Sequence, residues 1–309
     1  MKRALFDPEH GYYSKNIRTI GARGDFTTAP QLSEAPAKAI AAWAIEAMRS
    51  HRTNNIIEIG PGLGTLSQQI RKHLPIIQRF RANFHLVDSS PTLSNKQSQS
   101  LGKHASIHQT IESALEACHG RAVIFSNELV DAFPVRLFEL SDGYWQEVHV
   151  DLSKKFPIEH LAKPENLPNS SIFDLDFPQG QRVEVHESYH TWIKNWLPRW
   201  KNGKILTIDY GAEAKTLYER KPRGTLRAYL MHQCLSGKEV YLNQGLQDIT
   251  ADVNFTDLQH WTDPWLKTET ILKMNEFLKA YNIPIEDQLL EATSYFRCIS
   301  QIRRESDFS

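Results

Sequence analysis

The stretch NNIIEIGPGLGTLSQQI at residues 54–70 constrains the fold of this chain more than any other. Apolar residues typical of a short buried strand run into Gly60, Gly62 and Gly64, and a helical pattern follows over 65–74. Glycines at this spacing permit a tight turn and let a ligand approach the backbone, while the first N–H groups of the helix point at that ligand. The stretch therefore predicts a strand–turn–helix unit that binds a nucleotide-like cofactor.

Strands and helices alternate along much of the remaining chain. Further strands are predicted at 82–88, 121–128 and 203–211, and helices at 34–50 and at 91–102, the last with Ser90 as its N-cap. Such alternation is typical of βαβ units, which build a parallel sheet. The sequence therefore predicts an α/β fold with a Rossmann-like sheet and helices on both of its faces.

Two stretches, 135–181 and 212–260, interrupt this alternation. Residues 135–152 alternate apolar and polar side chains around Asp142 and Gly143, which predicts a β-hairpin. Residues 157–181 are rich in Pro, Asn and Ser and are predicted to be loop, and 212–260 is predicted to be irregular. Segments inserted after the carboxyl ends of parallel strands lie over the ligand crevice, so we expect both stretches to cover the substrate.

The chain is predicted to hold one catalytic domain with a cap in front of it. We expect an N-terminal cap and helix over 1–50 and a Rossmann-like domain over 51–309, with insertions at about 135–181 and 212–260. A chain of 309 residues is long enough to bury a core of this size.

Charge and cysteine content exclude several classes of protein. Lysine and arginine total 36 and aspartate and glutamate total 36, so the formal net charge is zero, which predicts no electrostatic footprint for nucleic acid or an anionic membrane. Neither a membrane-spanning run nor a secretory signal is seen. Cys118, Cys234 and Cys298 are too few and too scattered for a disulfide framework or a zinc site. We expect a cytoplasmic protein with no nucleic-acid partner, no membrane insertion and no metal, and the oligomeric state stays open, a homodimer included.

An acid after the second predicted strand indicates what the glycine turn binds. Asp88 follows Gly60 by 28 residues. At the end of a strand its carboxylate can accept hydrogen bonds from ribose hydroxyls, the alternative being a cap for the next helix. A dinucleotide site usually reads G-x-G-x-x-G, whereas Gly64 comes one residue earlier and Glu58 lies inside the first strand. The pattern resembles the first motif of class I S-adenosylmethionine-dependent methyltransferases, with a dehydrogenase as the alternative.

Blocks along nearly the whole chain resemble the MidA family of class I methyltransferases, in the order in which that family has them. They are FDPEHGYYSKNIRTIGARGDFTTAPQLSE (6–34), IIEIGPGLGTL (56–66), FHLVDSSPTLSNKQ (84–97), FSNELVDAFPV (125–135), GQRVEVHESYHTWI (180–193), ILTIDYG (205–211), GTLRAYLMHQ (224–233) and DITADVNFTDL (248–258). The chain departs from the family at Asn254, where Asp is typical, and at APAKAI (35–40), where a Phe-Gly pair is typical.

The resemblance implies an activity, a cofactor and a substrate. The family includes the mitochondrial complex I assembly factor that dimethylates an arginine of a core subunit, so it implies an S-adenosylmethionine-dependent protein-arginine methyltransferase that forms symmetric omega-N-dimethylarginine. A respiratory-complex subunit is the candidate partner. If a targeting segment precedes this chain, the mitochondrial matrix becomes the expected compartment. A cofactor-binding assembly factor and a methyltransferase acting on a small molecule are the alternatives left open.

Acids at and after the end of the predicted strand at 121–128 are the catalytic candidates. An arginine side chain is a planar cation with a pKa above about 12, and a carboxylate can grip two of its N–H groups bidentately. Glu128 is the first candidate for this grip and Asp131 the second, the alternative being a helix cap or a structural ion pair. Asp25, in the N-terminal block that resembles the family, is the third candidate, and its alternative role is a turn that leads into the first long helix.

The remaining assignments follow from the glycine turn, the resemblance and the strand ends. Cofactor binding is assigned to Glu58, Gly60, Pro61, Gly62, Gly64, Asp88, Ser89 and Asn127. Substrate binding is assigned to Thr28 in the N-terminal block, and to Asp209 and Tyr210 because they end the predicted strand at 203–211 and face the crevice. His186 and His232 have no partners at metal-ligand spacing and are expected to be structural.

Overall fold

A computed structural model describes residues 1–16, 33–153, 156–285 and 294–304. The strands, numbered in chain order, are β1 Asn55–Ile59, β2 Asn83–Val87, β3 Ala105–His108, β4 Val123–Asn127, β5 Arg136–Ser141, β6 Tyr144–Asp151, β7 Ile158–Ala162, β8 Arg182–Val185, β9 Lys204–Ala212, β10 Arg227–Leu230, β11 Gln233–Ser236, β12 Asp248–Thr250, β13 Val253–Asn254, β14 Leu266–Lys273 and β15 Phe296–Arg303. The helices are α1 Lys2–Phe6, α2 Ala35–Ser50, α3 Thr65–His73, α4 Ile76–Arg81, α5 Pro91–Leu101, α6 Ile111–Ala117, α7 Glu187–Trp196, α8 Ala214–Arg220, α9 Phe255–Thr262 and α10 Met274–Ala280. Among the described residues, every helix is too short or too polar to traverse a bilayer.

The central sheet has the strand order β14-β15-β9-β4-β1-β2-β3. The strands from β9 to β3 in that order are parallel, whereas β15 runs antiparallel to both β9 and β14. Because parallel strands share a direction, their carboxyl ends meet at one edge of the sheet and their amino ends at the other. The predicted strands within 56–60, 82–88, 121–128 and 203–211 are confirmed, and so is the predicted α/β fold.

Helices cover both faces of this sheet. Successive strand residues point to opposite faces, and apolar residues on both faces need a covering layer. On one face Ile57 of β1 packs in a core that α6, α7, α8 and α9 also supply. On the other face Ile56 packs in a second core with α2, α3 and α10, where Trp43 is fully buried. Burial on both faces explains why three of the five residues in each of β1 and β4 are large apolar residues.

Two smaller antiparallel sheets join the central one. The predicted hairpin is confirmed, because β5 and β6 pair on either side of Asp142 and Gly143 in a sheet ordered β7-β6-β5-β8. The loop prediction for 157–181 is wrong at β7, which pairs with β6 along its whole length. The strand was missed because its pairing partner, rather than its own composition, stabilises it.

The prediction of an irregular stretch at 212–260 is also wrong. This stretch contains α8 and α9, which belong to the main core, and the three-stranded sheet β11-β10-β12. Asn254 caps α9, since its Oδ1 accepts the Thr256 N–H at 3.1 Å and the Asp257 N–H at 3.4 Å. Asn and Asp cap helices about equally well, so the departure from the family pattern keeps this function. The proposed insertion boundaries remain a prediction.

A third core joins the N-terminal segment to the three-stranded sheet. Leu5 of α1 packs with Ala228 of β10, Ile249 of β12 and Leu93 of α5, and Leu63 of the glycine turn packs against this cluster. The N-terminal segment and β10–β12 therefore lie together beside the glycine turn, at the carboxyl edge of the central sheet.

Candidate active site

The turn after β1 has a backbone that only glycine adopts readily. Gly60, Gly62 and Gly64 have φ angles of 68°, 54° and 77°, in the left-handed region. A Cβ on Gly60 would lie 2.8 Å from Leu129 Cδ1, and one on Gly64 would lie 2.8 Å from Leu101 Cδ1. The turn therefore presents a bare backbone at the carboxyl end of β1, directly in front of the first N–H groups of α3.

Gln97, which the sequence analysis did not select, ties this turn to the predicted ribose-binding acid. Its Nε2 donates to the Gly62 carbonyl at 2.8 Å and to Asp88 Oδ2 at 2.9 Å. The Ser90 N–H donates to Asp88 Oδ1 at 2.8 Å, and Ser90 caps α5 as predicted. Burial raises the pKa of Asp88 to about 6. The sequence did contain a signal for this role, because Gln97 comes one helical turn after Leu93 and therefore lies on the buried side of α5.

Glu58 lies beneath the glycine turn. Its side chain is buried, and the Ser67 hydroxyl in the first turn of α3 donates to it. Burial raises the pKa of Glu58 to about 7. This arrangement links β1 to α3 behind the turn, so the geometry favours a positioning role over direct contact with the cofactor.

A second strained backbone position follows β4. Glu128 is not glycine, yet its φ is 54°. The Asn127 Nδ2 group donates to Glu128 Oε1 at 2.9 Å, and the Glu128 N–H donates to the Ile208 carbonyl at 3.0 Å. A left-handed residue of this type costs conformational energy and occurs most often at functional sites. The Glu128 side chain is half-buried at the carboxyl edge of the sheet, next to the glycine turn.

Asp209 holds the segment that follows Glu128. Its Oδ2 accepts the N–H groups of Leu129 at 3.1 Å, Val130 at 2.8 Å and Asp131 at 3.4 Å. Burial raises its pKa to about 7, and the charge of Glu128 acts in the same direction. The side chain is fully buried. The structure therefore favours a positioning role for Asp209 over the substrate contact expected from the sequence.

Tyr210 and an unpredicted arginine lie beside these acids. The Tyr210 ring packs at a tilt against Phe296, with 4.0 Å between centroids, and the Arg227 guanidinium lies 5.6 Å from the Tyr210 centroid. Arg227 pairs with Asp252 and donates through Nε to the Tyr229 hydroxyl at 2.9 Å. Arg227 lies within a block that resembles the family, but that resemblance by itself assigned it no role.

Asp131 is buried within a group of acids. Burial raises its pKa, the charges of Asp209 and Asp248 act in the same direction, and Arg227 opposes them. The Tyr13 hydroxyl of the N-terminal segment donates to Asp248 Oδ1 at 2.7 Å. Acids concentrated at one edge, in a low-dielectric setting, favour the binding of a cation there.

The remaining predicted residues fall in different settings. Asp25 and Thr28 lie outside the described residues. Pro61 is buried within the glycine turn, and Ser89 is exposed beside Asp88. The structure describes no group of three or more His, Cys, Asp or Glu side chains arranged to hold a metal ion.

The two histidines have different environments. His186 occupies the N-cap position of α7 without a side-chain capping bond, and its burial lowers its pKa to about 4. His232 is exposed at the turn between β10 and β11. Neither position argues against the structural role expected for them.

Comparison with known proteins decides the family. A family model described as "Putative S-adenosyl-L-methionine-dependent methyltransferase" matches residues 39–271. The chain belongs to this methyltransferase family. The predicted resemblance to MidA proteins is confirmed, and S-adenosyl-L-methionine is the cofactor.

Relatives of this methyltransferase include mitochondrial proteins. "Protein arginine methyltransferase NDUFAF7, mitochondrial" of Danio rerio is 26% identical over 94% of this chain and 74% of its own length. The Drosophila melanogaster homologue is 26% identical over 84% of this chain, and the match spans 64% of that protein's length. A Burkholderia thailandensis "COG1565 superfamily member" bound to S-adenosyl-homocysteine superposes with a TM-score of 0.84 at 22% identity, over 98% of this chain and 86% of its own. That likeness shows the same fold.

The residues of this methyltransferase fit the cofactor. The bare turn at Gly60–Gly64 leaves room for a close approach, and Asp88 is suited to the ribose hydroxyls. Asn127 Oδ1 is buried and has no hydrogen-bond partner in the part of the chain that the structure describes. A buried acceptor of this kind requires a donor, and the ammonium group of the cofactor's methionine moiety can supply one.

Proposed function

We propose that this methyltransferase transfers a methyl group to an arginine side chain of a protein, with Glu128 orienting the reacting guanidinium. The observation that carries the proposal is the left-handed Glu128, whose carboxylate is directed by Asn127 and whose following residues are gripped by Asp209. Left-handed angles at other residues of this chain fall in ordinary turns, such as Asp142 in the hairpin, so the angle alone does not decide the matter. At Glu128 the angle is combined with a carboxylate directed by Asn127 and a following segment held by Asp209, which favours a functional side chain over a helix cap.

The chemistry of the site supports a cationic acceptor. When bound, the cofactor supplies an electrophilic methyl group on a sulfonium. Glu128 would accept two N–H groups of the guanidinium and hold it in plane, which localises positive charge away from the attacking nitrogen. Arg227, which lies 5.6 Å from the Tyr210 ring centroid and whose charge acts on Asp131, shows that this edge of the sheet accommodates a guanidinium.

Two finer points of the proposal rest on the curated relatives. These are named mitochondrial protein arginine methyltransferases, which supports a protein substrate for this chain. The relatives' names also support a mitochondrial compartment. Symmetric omega-N-dimethylation, a respiratory complex I subunit as the target, and the alternative cytoplasmic compartment are part of the proposal through the sequence analysis alone.

The test separates cofactor binding from transfer. Glu128→Gln keeps the size of the side chain but removes its charge, so S-adenosylmethionine affinity should stay nearly unchanged in calorimetry. Transfer of labelled methyl groups to protein in an extract of cells lacking this gene should fall at least ~10²-fold, because the lost interaction acts mainly in the transition state. Mass spectrometry should locate the wild-type label on arginine. The exposed Glu116→Gln is the matched control and should transfer normally.

Four results would contradict the proposal. Loss of cofactor binding in Glu128→Gln would move that residue into the cofactor site and leave Asp131 as the next candidate. Undiminished transfer would make Glu128 a structural cap. Label on a small molecule, or cofactor binding by the wild type without any transfer, would favour a small-molecule methyltransferase or an assembly factor.

A further inference from the structure

The connections that lead into the parallel strands are all basic. Each enters the amino edge of the central sheet, and together they contain no Asp or Glu: they are 51–54 before β1, 74–82 before β2, 102–104 before β3, 118–122 before β4 and 197–203 before β9. Their exposed arginine and lysine residues are Arg52, Arg81, Lys103, Arg121, Arg199 and Lys201. The acids of the candidate site lie at the opposite edge. The zero net charge of the chain therefore conceals a separation of charge across the sheet.

Three of the five connections are hydrogen-bonded to one another, and the other two lie beside them because β2 pairs with β1 and β3 pairs with β2. The Arg121 guanidinium and the Asn202 amide both donate to the His51 carbonyl, at 3.4 and 2.8 Å. The Lys201 N–H donates to the Gly120 carbonyl at 2.8 Å. The loops before β1, β4 and β9 are thereby joined, and their cations face the same side of the molecule.

Two acids beside this edge have cationic partners of their own, while Glu116 at the end of α6 is exposed next to the connection before β4 and is outnumbered by the six cations. Glu269 lies 2.8 Å from Lys204, and Asp263 pairs with Arg304. These carboxylates offset charges other than those of the six exposed cations. The surface consequently keeps a positive potential.

An exposed apolar cluster projects from the same edge. Ile76, Ile77 and Phe80 of α4 are 69%, 61% and 83% exposed, and α4 contributes no buried residue. The Arg79 guanidinium donates to the carbonyls of Lys72 and Leu74, which anchors α4 to the end of α3. The helix is thus held firmly while its large apolar side chains point outward. Exposed apolar side chains grouped in this way mark an interaction surface.

We infer that this amino-edge surface, formed by the six cations and the α4 cluster, docks on an anionic lipid bilayer. Cations would contact the phosphates while Ile76, Ile77 and Phe80 enter the headgroup layer, the pattern of interfacial membrane helices. Nucleic acid fits less well, because isoleucine offers bases no stacking surface. A second copy docked through the same surface would bring like charges together. On a bilayer, the carboxyl edge and its site would face the water.

The experiment is flotation of the purified full chain with vesicles. The chain should float with vesicles of phosphatidylcholine and phosphatidylglycerol, should not float with phosphatidylcholine alone, and should be released by high salt. The triple variant Ile76→Ser, Ile77→Ser and Phe80→Ser should bind at least ~10-fold more weakly, since it loses the inserted apolar area. Arg81→Glu with Lys103→Glu should have a similar effect. This pair is a second, independent test of the same surface.

Matched controls make the same types of change elsewhere on the surface. Met231→Ser with Leu246→Ser removes side chains that are 77% and 58% exposed outside this surface, and Lys163→Glu with Lys221→Glu reverses two exposed charges. Both controls should bind like the wild type. The inference is overturned if the anionic vesicles fail to bind the chain or bind the triple variant equally. It is also overturned if a structured RNA, or a second copy detected by light scattering, engages the surface instead. None of these outcomes depends on the identity of the methyl acceptor.

Discussion

At the scale of single residues, the candidate site is made by backbone angles that few side chains tolerate. Gly62 and Gly64 hold left-handed angles where the cofactor must come close, and Glu128 holds one at the carboxyl edge of the sheet. Glycine adopts such an angle at little cost in conformational energy. Glutamate adopts it only with backbone strain, and contacts with the surrounding structure must offset that strain. The bare turn and the strained acid therefore serve different purposes within one crevice.

Gly62→Val should abolish binding of S-adenosylmethionine. A branched side chain opposes the left-handed angle of 54° and fills the space that the ligand requires. Gly143→Val is the control, because Gly143 has a similar angle of 78° in the β5–β6 hairpin, with open space around its Cβ position. Calorimetry on folded proteins should show binding only for the control. Wild-type affinity in Gly62→Val would remove the cofactor from this turn.

Glu58 should make the free chain less stable as pH rises. Its folded-state pKa is raised from 4.5 to about 7, so between these values the folded state holds a proton that the unfolded state has released. The free energy of unfolding should therefore fall by about 3 kcal/mol across this window through Glu58 alone. Glu58→Gln should flatten that fall in denaturant titrations between pH about 5 and about 8. The exposed Glu116→Gln should leave the fall unchanged, and an equal slope in Glu58→Gln would refute the assignment.

At the scale of elements, α5 fixes the relation between two loops. Its N-cap, Ser90, follows the acid Asp88, and its buried Gln97 reaches both that acid and the glycine turn. One side chain thus sets the distance between the parts of the site that meet different portions of the cofactor. The positions of the strand ends alone do not fix the distance between Asp88 and the glycine turn.

Gln97→Leu should weaken S-adenosylmethionine binding by ~10-fold or more. The change keeps a similar volume but removes the donor to Gly62 and Asp88, and hydrogen bonds to a charged group are among the stronger ones. Gln99→Leu, on the exposed side of the same helix, should bind normally. Equal affinities for the two variants in calorimetry would show that α5 does not organise the site.

At the scale of the whole molecule, the central sheet carries different features at its two edges. The carboxyl edge gathers the glycine turn, the acids and a third core built from the N-terminal segment and β10–β12. The amino edge gathers cations and the α4 cluster. Tyr13 connects the first set, because its hydroxyl donates to Asp248 while its carbonyl accepts from Ser90 Oγ at 3.2 Å.

Tyr13→Phe should loosen the small sheet without unfolding the large one. Loss of a hydrogen bond to a buried carboxylate should speed hydrogen exchange of β10 and β12 amides by ~10-fold. Amides of β1 and β4 should exchange as in the wild type. Tyr144→Phe, at an exposed position, is the control. Uniformly faster exchange in Tyr13→Phe would show that the third core is no separate unit.

Local patterns were sufficient to predict the main elements of this protein. The strand before Gly60, the hairpin at Asp142 and the cap at Ser90 each depend on residues adjacent in sequence, so periodicity and turn chemistry reveal them. The glycine turn also indicated the cofactor class, because a ligand that approaches the backbone closely requires glycines at fixed positions in the sequence.

Only the tertiary structure decided which distant residues meet. Asp209 supports the residues after Glu128 because β9 pairs with β4, and β7 is a strand because β6 lies beside it. The basic amino edge exists because parallel strands bring separate connections to one side of the sheet. The net charge of the sequence does not show this, because it sums all charges regardless of where they lie in the fold. Register and packing create these relations between residues far apart in the chain, so they are set by the assembled sheet and not by any single stretch of sequence.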